Sequence, residues 1–165
     1  MPGSGMRFIV CSVGHRMPAW VSAGFNDYVR RMPREMPIDL IEVRPERRPA
    51  KAVSPAQRAT MLAAEAARIR AALPRGCTMV ALDQTGRSFT TSEFARRLAD
   101  FRREGRNVAF VIGGADGLDP GLKQSAALLL SLSALTLPHQ LVRVLLAEQL
   151  YRGISLLHNH PYHRE

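Results

Sequence analysis

Short apolar runs alternate along the chain with longer stretches in which bulky apolar side chains return every three or four positions. Met6–Val13, Ile38–Val43, Cys77–Leu82, Asn107–Ile112 and Ala127–Leu132 are apolar almost throughout. Short runs without polar alternation are the signature of strands buried on both faces of a parallel sheet. Helical segments lie between them. Ala19–Met32 follows Pro18 and repeats bulky groups at Val21, Phe25, Tyr28 and Val29; Ser54–Leu73 opens with Ser-Pro and is rich in alanine; Thr90-Thr91-Ser92-Glu93 is a capping box ahead of Phe94–Arg103. The repeated strand, helix, strand order predicts a three-layer α/β domain with a mostly parallel sheet. The last segment, Pro138–Leu157, is apolar nearly all round, at Leu141, Val142, Val144, Leu145, Leu146, Leu150 and Tyr151. A terminal helix of a small domain needs only one apolar face. The surplus predicts a second burial surface, supplied most economically by a symmetric homodimer, with a very deep core position as the alternative.

A chain of 165 residues fits one domain spanning 1–165, and no internal repeat or low-complexity tract divides it. Its 46% hydrophobic content excludes a disordered polymer. No apolar run approaches the roughly 20 residues that span a bilayer. Met1–Gly5 also lacks the charged and apolar regions of a signal peptide, so a cytoplasmic protein without a membrane partner is expected. Cys11 and Cys77 sit in apolar runs without a C-x-x-C partner, which reads as buried thiols in a reducing compartment.

Charge changes the picture more than composition does. Basic residues number 23 against 14 acidic ones, a net charge of +9, which favours a polyanionic partner. Only Lys51 and Lys123 are lysine. Arginine grips phosphate with a planar fork and stacks on bases, so the bias suits RNA, although a GC-rich genome writes the same ratio. The excess is uneven: residues 1–75 carry 13 basic and 6 acidic groups, residues 76–165 carry 10 and 8. Arg44–Lys51, basic and interrupted by prolines, is the most loop-like segment, and it is expected to be exposed.

The sharpest chemical feature is Phe110-Val-Ile-Gly-Gly-Ala-Asp-Gly117, an apolar strand running into Gly113, Gly114 and Gly117. Glycines at the carboxyl end of a parallel strand let a ligand approach the backbone, and that edge is where open α/β sheets bind ligands. A turn that merely reverses the chain would need the same residues. The spacing is not G-x-G-x-x-G, and Val13-Gly14-His15-Arg16 lacks a pyrophosphate cradle, so a dinucleotide-dependent oxidoreductase is disfavoured. Leu82-Asp83-Gln84-Thr85-Gly86 and Leu132-Ser-Ala-Leu-Thr-Leu-Pro138 end two further strands. Together the three ends can line one pocket, with Leu82, Leu135 and Leu137 as apolar walls and backbone groups reading a heterocycle such as adenine. No Walker spacing is present, so a neutral or zwitterionic adenosine cofactor fits better than ATP.

The strings Leu82-Asp83, Val111-Ile-Gly-Gly-Ala-Asp-Gly-Leu118, Leu130-Ser-Leu-Ser-Ala-Leu-Thr-Leu-Pro-His-Gln-Leu-Val-Arg-Val-Leu-Leu-Ala-Glu-Gln-Leu-Tyr-Arg152 and Asn159-His-Pro-Tyr-His-Arg-Glu165 closely resemble the bacterial ribosomal RNA large subunit methyltransferase H family, small enzymes of the SPOUT class. The resemblance starts near Met6 and runs through Met17-Pro-Ala-Trp20 to the last residue, with Met1–Gly5 as an extension and Gly153-Ile-Ser-Leu-Leu157 the least familiar stretch. It implies a carboxy-terminal trefoil knot, an exception to the rule against threaded chains. It further implies a homodimer that uses S-adenosylmethionine to methylate N3 of a pseudouridine in 23S ribosomal RNA of the ribosome. Cofactor-binding positions carry over to Leu82, Gly113 and Gly114 and to the loop of Leu132, Ser133, Ala134, Leu135, Thr136 and Leu137.

A base that takes the N3 proton is desirable, and the candidates are His163, His139, Glu148 and Asp116. His163 sits with Tyr162 and Arg164 in a polar tail that can fold over RNA and carry the catalytic groups, or can simply be solvated. Glu148 precedes Arg152 by four residues, a helix-stabilising spacing. Arg143 and Arg152 are candidate phosphate contacts, with Arg30, Arg31, Arg47 and Arg48 as outer ones. His158, His160 and His163 lack an accompanying carboxylate or thiolate, so no metal is expected. A noncatalytic basic ribosome-binding protein is the rival; it predicts salt-sensitive RNA binding without cofactor binding.

Overall fold

A computed structural model describes residues 5–163. All but Gly5 of the extension expected at residues 1–5, and Arg164 of the tail, lie outside the described residues. The elements in order are β1 (Phe8–Val13), α1 (Ala19–Arg31), β2 (Ile38–Val43), α2 (Pro55–Ala72), β3 (Thr78–Ser88), α3 (Thr91–Glu104), β4 (Val108–Ile112), α4 (Pro120–Ser125), β5 (Leu128–Ser131), α5 (His139–Leu157) and a 3-10 turn at Pro161–His163. The strands form one sheet in the order β2-β1-β4-β3-β5, and every pairing is parallel. A strand, helix, strand crossover returns each strand in the same direction. All five carboxyl ends therefore share one edge, where the ligand-binding loops of such sheets lie.

Both faces of the central strands β1 and β4 are covered, which is why these read as continuous apolar runs, whereas the edge strand β2 carries Asp39 and Glu42 and leaves Leu40 exposed. Phe8, Val10 and Phe110 pack with Phe25, Leu98, Leu146 and Leu150 beneath α1, α3 and α5. On the opposite face Cys11, Val13, Ala81 and Val111 pack with Ala66, Ile69 and Leu122 of α2 and α4. Cys11 is a free thiol there, and burial pushes its pKa up to about 11. Helix α5 packs against both α1 and α3, so two of its apolar faces are used within the chain. Leu141, Leu145 and Leu156 remain half-buried, and Trp20 at the start of α1 is 59% exposed.

Two boundaries depart from the hydrophobic pattern. Strand β3 does not stop at Leu82: after a register shift Arg87 and Ser88 pair again with Leu130 and Ser131 of β5. The polar run Asp83–Gly86 bulges out between the two pairings and carries no apolar signal. Helix α4 is too short for a helical period, although Asp119 caps it through Leu122 N (3.0 Å) and Pro120 opens it. Among the described residues, no helix is long and apolar enough to cross a membrane.

Candidate cofactor pocket and carboxy-terminal cluster

The bulge in β3 and the carboxyl ends of β4 and β5 enclose a cavity of about 490 Å³, within the range of small-molecule sites. Its wall consists of Leu82–Thr85, Ile112–Gly117, Leu130–Ser133, Leu135–His139 and Val142. The three strand ends singled out in the sequence thus meet in space. Leu82, Gly113, Gly114, Leu132, Ser133, Leu135, Thr136 and Leu137 all line the cavity; Ala134 does not.

The glycines are required by the floor. A Cβ on Gly113 would sit 2.5 Å from the carbonyl carbon and oxygen of Gly117. The loop folds back on itself there, with Gly117 N–H donating to Gly114 O (3.1 Å) and Gly117 at a φ of 77°. Opposite, Ser131 Oγ donates to Ser133 O (3.1 Å) and Ser133 Oγ accepts from Leu135 N–H (2.9 Å), so the β5–α5 loop is held by its own short side chains. This leaves Leu135 74% exposed at the mouth.

Among the described residues, no lysine or arginine belongs to the lining, but two carboxylates do. Burial acts to raise the pKa of Asp83, yet bonds from Thr85 N–H (2.8 Å), Thr85 Oγ1 (2.6 Å) and Lys123 Nζ (2.9 Å) outweigh it and hold the carboxyl below its ordinary value. Asp116 is bound by Arg48 and lies 3.9 Å from Arg58 Nε. That pairing ties Asp116 to the loop rather than freeing it as a base. His139 stands at the rim with its pKa lowered by burial and then by Arg143, so its imidazole is neutral at pH 7.

Behind the glycine floor lies a carboxylate that the sequence pattern does not mark. Glu65 of α2 is buried, with Arg48 Nη2 at 3.6 Å and neither oxygen in a hydrogen bond. Burial raises its pKa against the opposing pull of Arg48. Its Oε2 lies 3.9 Å from where a Cβ on Gly114 would be.

Arg143 corrects an expectation. It is 2% exposed and its Nη1 donates to Glu42 Oε2 at 3.1 Å, so it faces the core below the sheet edge and is not a surface contact for phosphate. Its Nε and Nη2 are buried without partners. The apolar run around position 143 hid that role, because an arginine there reads as the one polar position of a buried helix.

Tyr162 and Arg152 come together at the far end of α5. Arg152 Nε and Nη2 reach Glu148 Oε1 at 2.8 and 2.7 Å, and Tyr162 Oη donates to the same oxygen at 3.1 Å. Tyr28 Oη is 3.5 Å from Tyr162 Oη, and the Arg31 guanidinium stands over Tyr28 at 5.3 Å and over Tyr151 and Tyr162 at 5.9 Å. Burial, Tyr28 and Glu148 push the Tyr162 phenol well above its ordinary pKa, so it stays protonated and donates. The side chain of His163 and all of Arg164 lie outside the described residues. At 1.5 Å per residue, the α5 segment from His139 to Tyr151 spans about 18 Å. Tyr162, packed against Tyr151, therefore sits well away from that chain's own pocket.

Residues 6–163 match the family model described as predicted SPOUT methyltransferase. Curated relatives include ribosomal RNA large subunit methyltransferase H of Ralstonia pickettii, 54% identical over 159 residues, and that of Cupriavidus pinatubonensis, 56% identical over 162; each alignment covers 96% of this chain and 99% of the relative. Among solved structures, a probable methyltransferase from Bordetella pertussis Tohama I aligns over 92% of this chain and 97% of its own, with 22% identity and a TM-score of 0.53, a likeness of fold. Matched along nearly its whole length at more than half of all positions, the chain belongs to the ribosomal RNA large subunit methyltransferase H family of SPOUT methyltransferases.

Proposed function

We propose that the protein methylates N3 of a pseudouridine in 23S ribosomal RNA from S-adenosylmethionine, as a cytoplasmic homodimer acting on the ribosome. The observation that carries this reading is the pocket between the bulge of β3 and the ends of β4 and β5, floored by glycine and, among the described residues, free of lysine and arginine in its lining. A nucleoside triphosphate would find no cation among the described lining residues to offset its charge, whereas S-adenosylmethionine, whose sulfonium and ammonium outnumber its one carboxylate, needs none. The cofactor fits the residues present: Gly113 and Gly114 expose backbone without side chains to the cavity, in a turn closed on Gly117 that a Cβ on Gly113 would disrupt, and Leu82 and Leu137 flank it with apolar surface. Bound there, S-adenosylmethionine supplies an electrophilic methyl group. The family membership supports ribosomal RNA as the acceptor class.

The chain's own work is to position and to move a proton. With the cofactor bound, the loops that line the cavity would hold it in one orientation toward an acceptor, and such positioning supplies much of the acceleration for a transfer between two bound molecules. The ring N3–H must lose its proton as the methyl arrives. Asp116 is tied to Arg48, and Glu148 is shared by Arg152 and Tyr162. That leaves the neutral His139 at the pocket rim and His163 in the tail as proton acceptors. Because Tyr162 packs against Tyr151, far from the pocket of its own chain, we infer that the site is completed by the tail of the partner subunit; the exposed Trp20 and the half-buried Leu141 and Leu145 are the apolar surface that supports dimerisation. A carboxy-terminal trefoil knot is supported by the membership in the SPOUT methyltransferase family.

The test is incubation with labelled S-adenosylmethionine and ribosomes from a strain lacking the modification, followed by mass spectrometry of the labelled fragment. A methyl on N3 of a pseudouridine is the expected result. No incorporation by a protein that binds the cofactor in calorimetry would overturn the activity.

A further inference from the structure

The strand order sets two basic loops beside the pocket. β1 pairs directly with β4, and β2 lies next outward, so the β1–α1 loop at Gly14–Pro18 and the β2–α2 loop at Arg44–Ser54 continue the same sheet edge that carries the glycine floor. His15, Arg16, Arg44, Arg47 and Lys51 are exposed there. Arg16 holds a φ of 57°, a left-handed conformation that side-chain-bearing residues rarely adopt, so the chain turns sharply where this cation projects.

The carboxylates along this edge are already paired. Glu42 accepts from Arg143, Glu46 from Arg68, and Asp116 from Arg48, while Glu65 is buried beside Arg48. Among the described residues, no ion pair involves Arg16, Arg44, Arg47 or Lys51. The β2–α2 loop is also fastened: Arg68 Nη1 donates to Arg44 O at 3.0 Å, and Arg48 bridges Glu65 on α2 to Asp116 on the pocket loop. Four cations without counter-ions are thus carried on a braced frame whose brace includes a wall of the pocket.

We propose that this rim, formed by Arg16, Arg44, Arg47 and Lys51, is the surface that grips the sugar-phosphate backbone of the RNA flanking the target nucleotide. It rests on the ribosomal RNA methyltransferase activity proposed above and names the part of the molecule that holds the substrate. Side chains that bind phosphate position a polyanion without reading its sequence, and removing them lowers the salt dependence of binding. Arg48 is a positioning residue of this surface, since its guanidinium is consumed in holding the loop.

The experiment compares the full chain with two quadruple variants of equal charge loss, R16A/R44A/R47A/K51A on the rim and R70A/R75A/R102A/R106A at the opposite sheet edge, where exposed arginines close α2 and α3. Binding to 70S ribosomes is measured across a salt series. The rim variant is expected to bind at least about ten-fold more weakly, with a log K against log salt slope reduced by about 0.7 to 0.9 for each phosphate that is no longer neutralised. The opposite-edge variant is expected to match the unmodified protein. Calorimetry with S-adenosylmethionine verifies that each variant is folded; should the quadruple rim variant fail it, R47A/K51A carries the same test with a smaller slope change. Equal weakening by both variants, or an unchanged rim variant, would overturn the surface. Methyl incorporation by the unmodified protein is read in parallel: rim-specific binding without incorporation upholds the surface and sinks the activity, while incorporation without rim-specific binding does the reverse.

Discussion

Gly113 shows how little room the pocket floor leaves. Its absent Cβ would lie 2.5 Å from the Gly117 backbone, a clash that no rotamer can relieve because both sides are main chain. Gly113→Ala is therefore expected to displace the Gly113–Gly117 turn and weaken S-adenosylmethionine binding at least about ten-fold, about 1.4 kcal/mol, as read by calorimetry. Glu65 makes a different prediction. Its folded-state pKa is raised by burial above the ordinary 4.5, so the folded protein binds the proton more tightly than the unfolded chain. Stability linked to this group is present below the unfolded value and is lost as pH rises through the folded one. Glu65→Gln should consequently raise the melting temperature relative to the unmodified protein at pH 8, and the difference should shrink toward pH 4; a difference that is constant across this range would show that Arg48 fully offsets the burial. The sequence did not mark Glu65 and pointed to Arg143 as a phosphate contact, because a charged residue in a helical stretch reads as a solvent-facing position until its neighbours are known. The glycines were legible because a Gly-Gly pair after an apolar strand has few physical explanations.

Helix and strand boundaries were legible where local chemistry fixes them. Phe8–Val13 and the capping box at Thr90 are cases: a mostly apolar run ending at a glycine, and a threonine three residues ahead of a glutamate. In the structure Thr90 Oγ1 accepts from Glu93 N–H at 3.2 Å and Glu93 Oε2 accepts from Thr90 N–H at 2.7 Å. Thr90→Ala removes one of these reciprocal bonds and should cost about 1 kcal/mol in urea denaturation. Combining it with Glu93→Ala should cost less than the sum of the single effects, because the two side chains satisfy one another's backbone. The continuation of β3 beyond Leu82 had no such local signature. Asp83–Gly86 carries the residues of a turn, and only the presence of β5 alongside turns Arg87 and Ser88 back into strand. Helix α4 was illegible for the opposite reason, since its signals are local but it is shorter than two helical turns.

At the scale of the whole molecule, the separation between pocket and tail forces a choice between two architectures. Helix α5 carries His139 at the pocket and Tyr162 packed beyond its other end against Tyr151 and Tyr28, with ring centroids 4.5 and 6.5 Å apart. A rigid helix cannot bring these together within one chain, so either the tail takes no part in methyl transfer or it serves a second subunit. A mixing experiment decides. One variant loses the pocket through Gly113→Ala and keeps its tail; the other keeps the pocket and is truncated after His158. Each homodimer is expected to be nearly inactive. On co-expression in equal amounts, half of the dimers are heterodimers, and each of these assembles one site from the intact pocket of one subunit and the intact tail of the other. About a quarter of the sites, and so about a quarter of the methyl-transfer rate, should return in a symmetric dimer. If the tail acted on its own pocket, every chain in the mixture would still lack one half of its site, and the rate would stay at the level of the separate variants. An active truncated homodimer would show instead that the tail is dispensable, and would move the search for the proton acceptor to His139.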